Sequence, residues 1–310
     1  MHSNSIMKAI VPLIICTFLW GSCYPIGKTA LEEMSAFTLV FWRFVIASTC
    51  LILYLCAVRT PIPRLRLDQW IWVVAISASG IAGFNLIVFV GLSYTSPTNG
   101  SLIMALSPIV TSVIASVAVR KLPSKIQCVS LVISLVGVLM VITNGHIETL
   151  RSFRFNWGDQ LILCGMFSWS IYTYFSQSIS RWLIPSVYTF VGMFSGAVVT
   201  GMVCFALPSV HPIYELKQAS MFSVLEVGYI GLFGTVLGYL LWLSGIQRLG
   251  SANASAFFNL VPIFSVVTSL ALGQPVTGIQ LLGIGVVLSG LLLPRLISFT
   301  QRRGVNIESL

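Results

Sequence analysis

Arg43 and Glu226 are the residues that first invite a chemical reading. Each is the single ionisable group in an otherwise uncharged apolar run, 36–58 and 221–246. Inside hydrocarbon such a group is costly, so it is retained for a partner or a function. The two sit at similar depth from the same end, which leaves an Arg43–Glu226 pair geometrically open. Arg43 could equally snorkel to the interface or pair with Glu32 or Glu33. Structural roles are the plainer reading of both. A proton-coupled cycle wants a deep carboxylate, and Glu226, the one candidate, is shallow.

Four amides come next: Asn85, Asn99, Asn253 and Asn259. A buried amide needs partners, so these side chains should face the interior of a helix bundle and not lipid. They can bind the polar head of a substrate, or serve as interhelical glue and helix-start caps, the plainer role for Asn99 and Asn253. Trp20, Trp169, Tyr239 and Trp242, with Tyr24 and Tyr172, could wall a cavity for apolar or aromatic groups. Plain packing is the competing reading. Pro108 and Pro262 each free a backbone carbonyl four residues earlier, at Met104 and Phe258. They are expected to kink two helices that line the path.

The elements that must position these residues follow from composition. The chain has 310 residues, 56% hydrophobic and 8% charged, against roughly 25% charged in soluble domains. That deficit excludes a soluble enzyme, a disordered chain and a nucleic-acid binder. No Asp, Glu, Lys or Arg occurs in 69–119 or 249–294, each long enough for two crossings of about 20 residues. The same test predicts ten spans: 9–27, 36–58, 69–92, 97–119, 126–143, 157–177, 186–207, 221–246, 251–272 and 278–298. Continuous apolar runs argue for helices and against a β-barrel. The first span follows Lys8 like a signal peptide, but its length and Trp20 favour a retained helix. The seven cysteines all lie in apolar stretches and read as core residues.

With ten spans and a cytoplasmic N-terminus, twelve Lys and Arg fall inside and four outside. This obeys the positive-inside rule and puts both termini in the cytoplasm. The halves also repeat. Asn99, Ser101 and Pro108 match Asn253, Ser255 and Pro262 at an offset of 154, and Gln127 and Gly137 match Gln280 and Gly290 at 153. In this register Asn85 aligns with Tyr239, and Trp20 has a looser counterpart in Trp169. Five spans per copy turn the second copy upside down. The expectation is an all-α integral membrane protein of ten transmembrane helices in two inverted five-helix repeats, 1–145 and 146–310. Such architectures place substrate near the midplane between copies.

The ordered set Trp20-Gly21, Lys28, Arg43-Phe44, Gly83-Phe84-Asn85, Tyr94-Thr95, Pro108, Lys121-Leu122, Trp157-Gly158-Asp159, Trp169, Tyr239 to Trp242, Ala252 to Ala256 and Pro262 resembles the EamA-like permeases of the drug/metabolite transporter superfamily. The resemblance spans nearly the whole chain. It implies export or exchange of amino acids or other small metabolites across a bacterial inner membrane, without a cofactor. Nucleotide-sugar carriers share the ten-helix plan and are the main alternative. They would be expected to carry more cations along the path than Arg43 alone.

Other functions fit poorly. His2, His146 and His211 all lie outside the spans, so no metal site is expected at membrane depth. No glycine-rich phosphate loop with Lys appears, and no channel filter motif is visible. The expected partners are a small-molecule substrate and the lipid bilayer, with no nucleic acid. Gly283-x-Gly285 marks the tenth span as close-packing, and that span could form the face of a homodimer.

Overall fold

The computed structural model describes residues 2–92, 94–95, 97–146, 148, 155–273 and 275–307. Among these the chain is helical, with no strand. The first copy holds α1 (His2–Ala30) and α2 (Ala36–Ala57). Next comes α3, made of Leu67–Ser77, a π turn at Ala78–Gly83 and Phe84–Leu92. A broken α4 (Pro97–Met104 and Ser107–Val119) and α5 (Lys125–Thr143) complete it. The second copy holds α6 (Trp157–Ile179) and α7 (Pro185–Ala206). There α8 runs through Met221–Tyr229, a π turn at Ile230–Leu237 and Gly238–Leu249. A broken α9 (Ser251–Ala256, a 3-10 turn at Phe257–Leu260, Val261–Ala271) and α10 (Gly278–Ile307) close the chain.

Eight of these helical stretches are long and apolar enough to cross a membrane. The other two predicted spans are also helical. The apolar part of α10, Gly278–Pro294, is shorter, and α6 is 23 residues long but more polar, with a buried Asp159. The chain is thus an integral membrane protein by its helices. A short helix, Pro212–Gln218, was not expected from the sequence.

The helices start where side chains can satisfy free N–H groups. Ser35, Ser124 and Ser220 cap α2, α5 and α8 by accepting from the N–H of Thr38, Gln127 and Ser223. Asn156 and Asp159 form a reciprocal capping box at α6. Between α8 and α9 a single residue, Gly250, turns the chain at φ +79°, where a side chain would be strained.

The two copies are built alike to the residue. Ala36–Ala57 and Pro185–Ala206 differ by 149 at both ends, and α1 and α6 end at Ala30 and Ile179, also 149 apart. Leu106 and Leu260, 154 apart, both adopt αR geometry with φ −79° immediately before the second half of the broken helix.

Packing then crosses between copies. α1 lies against α8 and α9, and α6 lies against α3 and α4. Contacts come in exchanged pairs. Gly91 sits on Ile162 while Gly245 sits on Leu13, and Gly80 sits on Tyr172 while Gly234 sits on Cys23. At the α5–α10 seam a Cβ on Gly137 would lie 2.6 Å from the Val287 nitrogen. One on Gly290 would lie 2.7 Å from the Ser134 nitrogen. Small residues permit this approach in lipid, where burying apolar area gains little and close van der Waals packing must hold helices together.

Candidate functional site

Each copy contributes its first helix to the centre. Trp20 of α1 and Trp169 of α6 meet at 5.5 Å between ring centroids. Tyr239 and Trp242 of α8 join them, at 5.4 and 5.2 Å from Trp20. Phe258 of α9 closes the group, at 6.0 Å from Trp20 and 5.7 Å from Trp169. Edge-on and tilted geometries dominate, as the aromatic quadrupole favours. Tyr24 apart, the sequence-predicted aromatics Trp20, Trp169, Tyr172, Tyr239 and Trp242 are therefore brought together, and all five are buried. They form a closed cluster, not the walls of an open cavity.

The π turn in α8 helps to hold the cluster. The Gly238 N–H bonds to the Phe233 carbonyl, five residues back. The Gly234 carbonyl is thereby left to accept from the Trp20 indole at 2.8 Å. Such turns commonly sit at functional sites. Thr235 in the same turn accepts from Arg43 Nε at 3.0 Å.

The Arg43–Glu226 pair that the sequence left open does not form among the described residues. Glu226 instead accepts a hydrogen bond from the Thr29 hydroxyl. Each side chain has a different polar partner: Thr29 of α1 for Glu226 and Thr235 for Arg43. The alternative Arg43 partner Glu33 is taken by Ser220. Arg43 is half-buried, and its Cζ lies 5.7 Å from the Phe44 ring centroid.

The amides separate. Asn85 is buried, donates to the Ile81 carbonyl at 2.7 Å, and adjoins the Tyr239 hydroxyl. Asn259 is buried with no hydrogen-bond partner for its Oδ1. Asn253 is exposed and donates to the Leu249 carbonyl, the local contact of a helix-start residue. Asn99 lies in α4, and its side chain is outside the described residues.

Pro108 and Pro262 occupy the first turn of the second halves of α4 and α9. There a missing N–H costs nothing, so each helix breaks into two pieces where a mid-helix kink was expected.

A cavity of about 290 Å³ lies beside the cluster. It is lined by Tyr24, Met104, Ala105, Val141, Ile142, Phe258, Asn259, Pro262, Ser265 and Gln280, among others. That volume is at the small end of ligand pockets. Tyr24 keeps 59% of its surface open there. The walls come from α1, α4, α5, α9 and α10. A second cavity, of about 330 Å³, uses the other ends of α4 and α9 and includes Gln177, Arg181, Ser251 and Asn253. Trp169 and Gln177 are two turns apart on α6, about 12 Å, so the aromatic cluster stands between the cavities.

Sequence reasoning missed Thr235, Ser265 and Gln280. Gln280 carried a signal in its match to Gln127. The other two are ordinary small hydroxyls, and only the fold shows what they face. No cluster of His, Cys, Asp and Glu able to hold a metal occurs among the described residues.

Two interlocked helical copies thus meet around an aromatic centre, and the comparisons put the chain among membrane transporters. The profile of the EamA-like transporter family matches twice, at residues 7–143 and 156–295, and the chain belongs to that family. It is 32% identical over 287 residues to the uncharacterized transporter YyaM of Bacillus subtilis, covering 92% of this chain and 93% of that protein. It is 24% identical to the uncharacterized inner membrane transporter YedA of Escherichia coli, covering 92% and 91%. A solved crystal structure shares the fold with a TM-score of 0.75 at 16% identity, covering 96% and 99% of the two chains.

Proposed function

We propose that this chain is a ten-span secondary transporter working by alternating access between two inverted five-helix copies. Its substrates are small metabolites, in first place amino acids or related compounds, moved by efflux or exchange across a bacterial inner membrane. Both termini face the cytoplasm, as the distribution of Lys and Arg favours. Substrate contacts come from Asn259 and Tyr24 in the cavity, with Trp20, Asn85, Trp169, Tyr239 and Trp242 forming the closure beside it.

The observation that carries this reading is the contact between Trp20 and Trp169. The first helix of each copy is embedded in the other copy, and the two meet in a closed aromatic group with one cavity on either side. Relative motion that loosens one side must tighten the other.

Counterflow in proteoliposomes tests it. Vesicles loaded with unlabelled amino acids should take up one labelled class, saturably. Dependence on a pH gradient would make Glu226 the next residue to change. Uptake of no amino acid would overturn that substrate class, and nucleotide sugars would be tried in the same vesicles.

A further inference from the structure

We infer that the second cavity, the one lined by Arg181, is a binding site for the phosphodiester headgroup of an anionic phospholipid. This goes beyond the transport reading and stands apart from it, since it needs the cavity and a bilayer but no transported substrate.

The cavity, of about 330 Å³, lies where helices end. Val119, Ile179 and Leu249 are the last residues of α4, α6 and α8, and Ser251 is the first of α9. Val119, Leu249 and Ser251 line the cavity, with Gln177, Ser178 and Arg181 at the end of α6. The ends of apolar spans stand at the level of the headgroups, beyond the hydrocarbon. That is the depth at which a phosphodiester resides.

The donors in the wall suit one oxyanion. Arg181 is the charged residue there, and among the described residues its guanidinium makes no hydrogen bond and no ion pair. The Gln177 amide is held by Ser251, whose N–H and hydroxyl both donate to Oε1 at 3.0 Å. This leaves the Gln177 Nε2 as an unspent donor, four residues before Arg181. A guanidinium with neutral donors around it holds a phosphate group by charge-assisted hydrogen bonds. One cation in the wall matches the single negative charge of a phosphodiester.

The surroundings favour a lipid over a free anion. No Asp or Glu occurs in 111–128, 174–186 or 245–256, the three segments that build the cavity. The same segments add Arg120, Lys121, Lys125 and Arg248, all exposed. Basic pockets between membrane helices recruit anionic headgroups in this way. Val119 in the wall, and Val117 and Leu122 on either side of it in the chain, are exposed apolar side chains. They offer acyl chains a surface that a soluble phosphate has no use for. A headgroup held here bridges the two copies, because α4 belongs to the first and α6, α8 and α9 to the second.

The test uses the full chain in phosphatidylcholine nanodiscs, with phosphatidylglycerol added in steps and the melting temperature measured at each. The expected result is a saturable rise in the wild type. Arg181→Gln should raise the half-maximal phosphatidylglycerol fraction by about tenfold. Arg64→Gln removes an exposed cation outside the cavity and should leave the response unchanged. Ser178→Glu keeps Arg181 but puts a carboxylate in the wall, and should abolish the response; it decides the matter if Arg181→Gln does not fold. Equal responses in wild type and Arg181→Gln, or the same loss in Arg64→Gln, would reveal diffuse surface charge and overturn the inference. So would a wild type that ignores phosphatidylglycerol. Inorganic phosphate and glycerol 3-phosphate, added to phosphatidylcholine discs, should not stabilise the chain. Stabilisation by either that Arg181→Gln removes would reassign the cavity to a soluble anion and overturn the lipid. Each readout is equilibrium binding, so a counterflow experiment that fails leaves this result standing.

Discussion

Glu33 caps a helix that belongs to the other copy. Its carboxylate accepts from both the N–H and the hydroxyl of Ser220, the N-cap of α8. The favour is returned: Glu215, in the short Pro212–Gln218 helix, accepts from the N–H of Ser35, the N-cap of α2. The two carboxylates also face helix N-termini, where the dipole favours negative charge. This end of the bundle is cross-tied between copies.

Acid should loosen these ties. The Ser220 donors hold Glu33 below the usual carboxylate range. Burial pushes Glu215 up, but donors from Ser35, His211 and Thr38 outweigh it and leave it lowered too. A lowered folded value means stability that is fully present above the unfolded value, roughly 4.3, and is lost as pH falls through the folded one. Melting temperatures across pH 3–6, roughly the window that brackets that value, should fall toward acid in the wild type. The fall should be smaller in Glu33→Gln. An unchanged profile would remove Glu33 from the tie.

Arg43 and Glu226 should behave as strangers. In a double-mutant cycle of Arg43→Gln and Glu226→Gln, the effects on stability should add within about 0.5 kcal/mol. A coupling above about 1 kcal/mol would show an ion pair in solution.

Gly80 should tolerate no side chain. An added Cβ runs into the Cβ and ring of Tyr172, atoms close to the α6 backbone that cannot swing aside. Gly80→Ala should cost about 1–3 kcal/mol, the usual range for overpacking. Gly285→Ala, with nothing near its Cβ, should be silent. Thermal denaturation of both in one detergent checks the contrast.

Trp20 and Trp169 can be separated by substitution. Trp20→Phe keeps a ring and loses the hydrogen bond to the Gly234 carbonyl, at about 1 kcal/mol. Trp169→Ala and Asn85→Ala should lower transport while membrane expression stays normal. Wild-type uptake in either variant would remove that residue from the working centre.

Much of this architecture was legible in the chain. Absence of charge marked the helices, because hydrocarbon tolerates few ionised groups. The Asn99/Asn253 and Pro108/Pro262 register exposed the duplication, since both copies must break the same helix. The Pro212–Gln218 helix left a trace in His211-Pro212 with Glu215 three residues on. The π turns left little beyond a density of glycines at Gly80, Gly83, Gly231 and Gly234. What could not be read was tertiary: that Thr29 takes Glu226, that Thr235 takes Arg43, and that the aromatics close on themselves. Such choices depend on which side chains the fold brings near, and spacing along one chain does not encode them.

The two copies differ at one contact, where Arg43 meets Thr235 and the equivalent positions in the repeat, Gly192 and Ile81, meet without a polar bond, and this bears on thermodynamics. Two identical copies trading shapes would give two end states of equal energy, each half occupied at rest. Here one end state strains or relieves a polar contact and the other an aliphatic one. The unliganded populations must therefore be unequal, by about tenfold for each 1.4 kcal/mol of difference. In the alternating-access cycle proposed above, the duplication would then give the chain one preferred resting posture, and substrate binding would shift the balance away from it.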